Sequence, residues 1–348
     1  MKIKFIWLYI LVLFAVKTTA QRLQQEVKWF TIEEAQELVK KQPKKILIDM
    51  YTDWCGWCKK MDAETFKHPN IAAYINQYFY AVKFDAETAD TIVFNGKTYV
   101  NEGAQQILQM EKEGRKGRKP THNLAKELMN NKMSFPTIVY LDEHLNNLSP
   151  VPGYKSPSDI EPFIMYFGEN VYKSTPFDQF NAYFQKAFKT EPATYDTTMI
   201  NWMGMQEAID QNAKEPKMIF LDIYTPWASL SKLMFRTTYT DSIIAKYINE
   251  NFYAVHFNAL SKDTITMFDG QMVNEGKAHP YHSFAVSALQ GKMIFPSFVF
   301  IDGNNKLITA VPEYRSPQGL EPILKFIREG DYKTEQFQEY LKTFKSSY

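Results

Sequence analysis

Short apolar runs punctuate this 348-residue chain. The stretches 46–51 (Ile-Leu-Ile-Asp-Met-Tyr), 80–84 and 137–141 are too short for buried helices and rich in β-branched and aromatic residues, which reads as buried strands. Between them the pattern turns helical: an amphipathic helix over 32–39, a lysine-rich one continuing from Cys55 through Met61 and Phe66, and others over 71–78, 160–167 and 177–188. A polar helical stretch covers 122–131, and a turn covers 142–147. Two β-rich segments, 91–94 and 97–100, flank Asn95-Gly96, a strong signal for a tight hairpin turn.

The pattern occurs twice. Trp29, Glu34 and Ala35 return as Trp202, Glu207 and Ala208; Asp49-Met50-Tyr51-Thr52 returns as Asp222-Ile223-Tyr224-Thr225; Phe79-Tyr80-Ala81-Val82 as Phe252-Tyr253-Ala254-Val255; and Val100-Asn101-Glu102-Gly103 as Val273-Asn274-Glu275-Gly276, all at an offset of 173. Later pairs, Phe135-Pro136 with Phe295-Pro296 and Val151-Pro152 with Val311-Pro312, stand at 160, so the first copy carries 13 extra residues. They fall near the charged stretch 111–120, for which a solvated excursion is favoured over a docking patch. The second hairpin turn reads Asp269-Gly270, and the copies divide near 190–193.

Lys2 and Lys4, the apolar run 5–16 and the small residues before Gln21 read as a secretory signal peptide over 1–20; the run is short for a membrane anchor. No cysteine follows for a lipid anchor. This leaves 21–190 and 191–348 as two domains of ordinary size, with 15% aromatic residues to supply their cores. The expected location is secreted or periplasmic, without stable membrane insertion after cleavage. A formal net charge of +1, falling to −2 without Lys2, Lys4 and Lys17, argues against a nucleic-acid partner.

The chain has two cysteines, Cys55 and Cys58, in Asp53-Trp54-Cys55-Gly56-Trp57-Cys58-Lys59-Lys60-Met61. Cys55 falls where strand gives way to helix, and the partial positive charge of a helix N-terminus stabilises a thiolate. Cys58 lies one turn on, within reach to resolve a mixed disulfide. A bridge over two intervening residues closes too small a loop to be a strong structural staple. Covalent haem would need a histidine where Lys59 stands, and zinc would need about four ligands. No cofactor and no metal are expected. Trp54 and Trp57 flank the thiols, either as an apolar platform for a substrate peptide or as packing.

Strand, Trp54-Cys55-Gly56-Trp57-Cys58, helix, and later Phe135-Pro136-Thr137 before another apolar strand resemble the thioredoxin superfamily, in particular its secreted thiol:disulfide interchange proteins. The resemblance implies an α/β fold, here two tandem thioredoxin-like folds, each a central mixed β-sheet flanked by helices with an inserted hairpin-helix segment before a cis-proline. It implies a buried acid six residues before the first cysteine, Asp49, facing a lysine on the next strand, Lys83. Asp49 would take and return the proton of the resolving thiol, and Lys83 would tune it. A strand-end carboxylate satisfied by hydrogen bonds is the other reading of Asp49. Pro136 would be cis, placing the backbone of Phe135, with Thr137 following, beside the cysteines to pair with an extended substrate.

The expected activity is thiol–disulfide exchange by an exported oxidoreductase, with protein thiols and disulfides and an unidentified redox partner as partners. The competing class is a non-enzymatic binding or chaperone-like protein. The second copy has Ala228 and Ser231 at the cysteine positions and cannot exchange disulfides; His256 replaces Lys83 there. For the segment 91–100 two roles stand equal: a wall of the substrate groove, or packing between the two lobes.

Overall fold

The computed structural model describes residues 26–115, 117–189, 199–267, 270–277 and 279–348. The signal-peptide segment 1–20, the division near 190–193 and Asp269 of the second hairpin turn lie outside the described residues.

The first copy runs β1 (Trp29–Phe30), α1 (Ile32–Lys41), β2 (Lys45–Tyr51), α2 (Gly56–Glu64), α3 (Pro69–Tyr78), β3 (Phe79–Asp85), β4 (Ile92–Phe94), β5 (Lys97–Tyr99), α4 (Ala104–Lys112), α5 (Asn123–Leu128), β6 (Thr137–Leu141), β7 (Asn147–Pro152), α6 (Pro157–Gly168) and α7 (Phe177–Phe188). Its sheet has the order β1-β3-β2-β6-β7. β1, β3 and β2 are parallel, while β6 and β7 are antiparallel to their neighbours. β2 and β6 are covered on both faces, which is why their sequences are nearly unbroken apolar runs. β7 escaped the sequence reading because Pro150 and Pro152 interrupt it; as an edge strand it can spare those amide donors. β1 and its counterpart, two residues each, are too short to leave a periodic signal.

The second copy repeats the plan: β8 (Trp202–Met203), α8 (Met205–Lys214), β9 (Ile219–Tyr224), α9 (Ser229–Thr237), α10 (Ser242–Asn251), β10 (Tyr253–Asn258), β11 (Ile265–Met267), β12 (Gly270–Met272), α11 (Ser283–Ala288), β13 (Ser297–Ile301), β14 (Leu307–Pro312), α12 (Pro317–Glu329) and α13 (Phe337–Thr343). Its sheet order, β14-β13-β9-β10-β8, is that of the first. The chain is thus an α/β protein of two tandem five-stranded mixed sheets flanked by helices. Among the described residues no helix is long and apolar enough to cross a membrane.

Each sheet buries one face privately. In the first, Ile46, Ile48, Met50, Val82 and Phe84 pack under α1, α5 and the hairpin residues Phe94 and Tyr99. The opposite faces share a single apolar core spanning both copies, with Leu47 and Tyr140 at one end and Phe220 and Phe298 at the other. α7 bridges them: Phe180 and Phe184 are fully buried, and the Phe180 ring meets Tyr314 edge-on at 6.0 Å. Tyr183 Oη and Gln179 Nε2 donate to Gln318 Oε1, and Arg236 Nη1 donates to the carbonyl of Ala187.

The hairpin β4–β5 lies on its own domain. Gln36 Nε2 donates to the carbonyl of Val93 and its Oε1 accepts from the amide of Asn95, while Tyr99 Oη donates to Glu127. Asn95 and Gly96 both have positive φ, as this tight turn requires. These bonds attach the hairpin to α1 and α5, and it is the stretch 111–120 that reaches Asp53 and Trp54, just before the cysteine helix. That stretch is solvated over most of its length, residues 111–115, 117 and 118 being exposed; α4 runs into it, and a charge turns inward only near its end, where the Lys119 side chain is 11% exposed. Among the described residues the second copy has no helix between Met272 and Ser283.

Candidate active site

Cys55 is the N-cap of α2, with extended backbone, and its Sγ accepts the amide N–H of Cys58 at 3.1 Å. The two sulfurs form a disulfide, with 5.3 Å between the Cα atoms. A helix N-terminus offers amide donors that lack intrahelical partners, so the charge that develops on Cys55 Sγ when the bridge opens is met by a donor already in place. Both cysteines are almost fully buried.

The two indoles beside them differ. Trp57 stands 58% exposed, 5.5 Å from the Tyr154 ring, with Lys60 Nζ over its face at 5.2 Å. Trp54 is held on three sides: Nε1 donates to both oxygens of buried Glu87 at 3.0 Å, its ring meets Phe135 edge-on at 6.1 Å, and the Arg118 guanidinium covers it at 5.0 Å. The Phe135–Pro136 peptide is cis, and so is Phe295–Pro296. Thr137 is buried and its hydroxyl donates to the carbonyl of Ser134, so only its backbone position is available to the site.

Asp49 and Lys83 are direct neighbours across the parallel pair β2–β3. The Asp49 carboxylate is fully buried and neither oxygen makes a hydrogen bond; Lys83 Nζ lies 3.4 Å from Oδ2. The Lys83 ammonium is thus the nearest polar group to this carboxylate. Burial pushes its pKa up to about 7; Lys83 pulls against that rise and Asp62 adds to it. Lys83 is drawn away because Asp62, one turn beyond Cys58 on α2, is its closer ion-pair partner. The sequence reading missed Asp62, although its i,i+4 spacing from Cys58 placed it on the helix face over β3.

The second copy resolves the same position differently. Asp222 Oδ1 accepts from Tyr239 Oη at 2.9 Å and Oδ2 pairs with His256 Nδ1 at 2.7 Å. At the place of Tyr239 the first copy has Phe66, which packs on Trp29 as Tyr239 packs on Trp202 but has no hydroxyl to give. The acid is satisfied where there are no thiols and unsatisfied where there are.

Replacing Asp62 by asparagine is expected to leave Lys83 to Asp49 alone and remove a repelling charge, lowering the Asp49 pKa. The pH at which exchange accelerates should then fall. A pH–rate profile of the Asp62→Asn protein superimposable on the parent would show that Asp62 has no influence on the buried acid.

A second acidic group rims the mouth. Asp85 is raised to about 6 by burial, with Asp53 and Glu87 adding to the rise and the Glu87 amide and Lys119 opposing it. Lys119 Nζ bonds Glu111 at 2.8 Å and lies 3.8 Å from Asp53. Among the described residues no group of histidine, cysteine and carboxylate side chains could hold a metal ion.

Residues 32–168 match the family model for a thioredoxin-like domain. Solved structures similar to the chain include the DsbH oxidoreductase (19% identity over 40% of this chain and 83% of that one, TM-score 0.26), the oxidised DsbD C-terminal domain of Neisseria meningitidis (18%, 40% and 90%, 0.23) and a thioredoxin from Thermus thermophilus (12%, 40% and 85%, 0.26). No curated protein matches the chain.

Proposed function

With residues 32–168 forming a thioredoxin-like domain, we propose that the chain is an exported thiol–disulfide oxidoreductase acting on protein substrates through Cys55 and Cys58. The observation that carries this reading is the Cys55–Cys58 disulfide at the N-terminus of α2, with Cys55 Sγ already accepting an amide hydrogen bond. Export rests on the pattern of residues 1–20 and gives a secreted or periplasmic location. The first domain extends over 21–190 and the second over 191–348.

In the reduced state the Cys55 thiolate attacks one sulfur of a partner disulfide. A Cys55–partner bond forms, the partner S–S bond breaks, and the departing thiolate takes a proton. Asp49 accepts the Cys58 proton, and the Cys58 thiolate attacks Cys55 Sγ. The partner's second thiol is released and the Cys55–Cys58 bridge remains; run backwards, the sequence oxidises a dithiol. Lys83 steadies the charge on Asp49. Phe135 and cis-Pro136 form the backbone edge along which an extended substrate lies, with Trp54 and Trp57 as its apolar floor. The second domain, with Ala228 and Ser231 at the cysteine positions, completes the two-lobed body through the shared core.

The test is alkylation of the reduced protein across pH. One cysteine should react with a midpoint well below the ~8.5 of a free thiol, and the reduced chain should cleave insulin disulfides. A midpoint at or above that value together with no insulin reduction would favour the binding-protein class.

A further inference from the structure

The extra residues of the first copy fall near 111–120, and two residues of that stretch, Arg118 and Lys119, lie against its redox mouth. Lys119 pins the stretch there through Glu111 and Asp53, and Asp53 immediately precedes Trp54. Arg118, the neighbouring residue, is thereby carried onto the face of Trp54, whose ring is fixed from the other sides by Glu87 and Phe135. The charges of the stretch and of Trp54's surroundings are largely spoken for: Arg115 pairs with Glu113, Lys119 with Glu111 and Asp53, and Glu87 with the Trp54 N–H. Arg118 is exposed, and among the described residues no carboxylate pairs with it. A guanidinium held over an indole by its carbon keeps N–H donors free, and these suit the two oxygens of a carboxylate.

We propose that Arg118 is a specificity-determining residue: it recognises an acidic side chain next to the reacting cysteine of the partner protein. The inference rests on the oxidoreductase reading and adds a substrate class to it, proteins whose exchanging cysteine has an aspartate or glutamate beside it. Trp54 adjoins Cys55 in the chain, so a partner cysteine bonded to Cys55 Sγ brings its own flanking residues past the rim of Trp54 to the Arg118 donors. The second copy, without thiols, lacks the insertion and has no use for it.

The experiment uses the full chain carrying Cys58→Ser, in which Cys55 can form but not resolve a mixed disulfide. Peptides with a single cysteine capped by 2-mercaptoethanol are supplied, flanked by glutamate in one and lysine in the other. Cys55 attacks the peptide sulfur, the peptide–Cys55 bond forms, and 2-mercaptoethanol leaves. At low ionic strength the glutamate peptide should react about two- to fivefold faster, the size of one exposed charge pair. The preference should shrink in salt. Adding Arg118→Ala should bring the ratio of the two rates to about one, while Arg118→Lys should keep part of it. Equal rates for the two peptides in the parent, or an unchanged ratio in Arg118→Ala, would overturn the proposal. Bis(2-hydroxyethyl) disulfide, uncharged, separates the two levels of inference: if the parent fails to react even with it, the oxidoreductase reading itself falls.

Discussion

Cys58→Ser is expected to accumulate covalent complexes with partner proteins that survive on non-reducing gels, whereas Cys55→Ser is expected to accumulate none and to exchange disulfides only at the uncatalysed background rate. The asymmetry follows from where the sulfurs sit. Cys55 Sγ occupies the N-cap of α2 and accepts a hydrogen bond from the amide of Cys58. Cys58 is inside the helix, and its own amide is spent on stabilising the other sulfur. A charge-stabilising donor lowers the pKa of the group it faces, so at neutral pH the thiolate population belongs to Cys55. Without Cys58 the mixed disulfide has no internal thiol to cleave it and waits for an external one. Stability needs a separate control, because opening so small a loop costs on the order of 2 kcal/mol in the chain-entropy view. Both variants should therefore be compared with the reduced parent rather than the oxidised one. Equal trapping by the two variants would mean that the helix terminus does not select the nucleophile.

How much of this could be read from the chain depended on whether a residue's role is local. The strand-to-helix junction at Cys55, the buried strands and the duplicated plan were legible because apolar runs, turn residues and repeat spacing are one-dimensional signals. β7 was not, since its prolines argue against a strand until its place at the sheet edge is known. Asp49 facing Lys83 was expected on the strength of resemblance, and the β2–β3 register sets the pair side by side. What no local pattern contained was the partition of Lys83 between two acids, because Asp62 meets it only after α2 folds over β3. Glu87 under the Trp54 indole was equally hidden, lying 33 residues away. The run of lysine, arginine and glutamate over 111–120 is hydrated for most of its length, as its charges suggest; what they did not reveal is that Lys119 turns inward, because Glu111 and Asp53 flank it in space.

The largest pH effect should come from Asp49. Its carboxyl is raised by burial to about 7 against an ordinary aspartate near 3.8, so between those values the folded protein holds a proton that the unfolded chain has lost. Stability must accordingly fall as pH rises from about 4 to 7 and level off above. The whole loss is on the order of 4 kcal/mol, since holding one extra proton in the folded state is worth about 1.4 kcal/mol for each tenfold change in proton concentration. Asp49→Asn removes the titration, and denaturant melts of the oxidised variant should show a stability difference from the parent that grows in the variant's favour across that window. The kinetic effect has the opposite sign. Below pH 7 the protonated carboxyl cannot accept the Cys58 proton, so the parent's resolution step should accelerate through neutrality. The variant should lack that inflection and run roughly 100-fold slower above it, the usual loss when a positioned base is removed. The two measurements support each other, because a residue that merely packs would alter stability and leave the pH–rate profile unchanged. A variant that keeps the inflection, or whose stability tracks the parent at every pH from 4 to 8, would show that another group titrates there and that Asp49 is not the base.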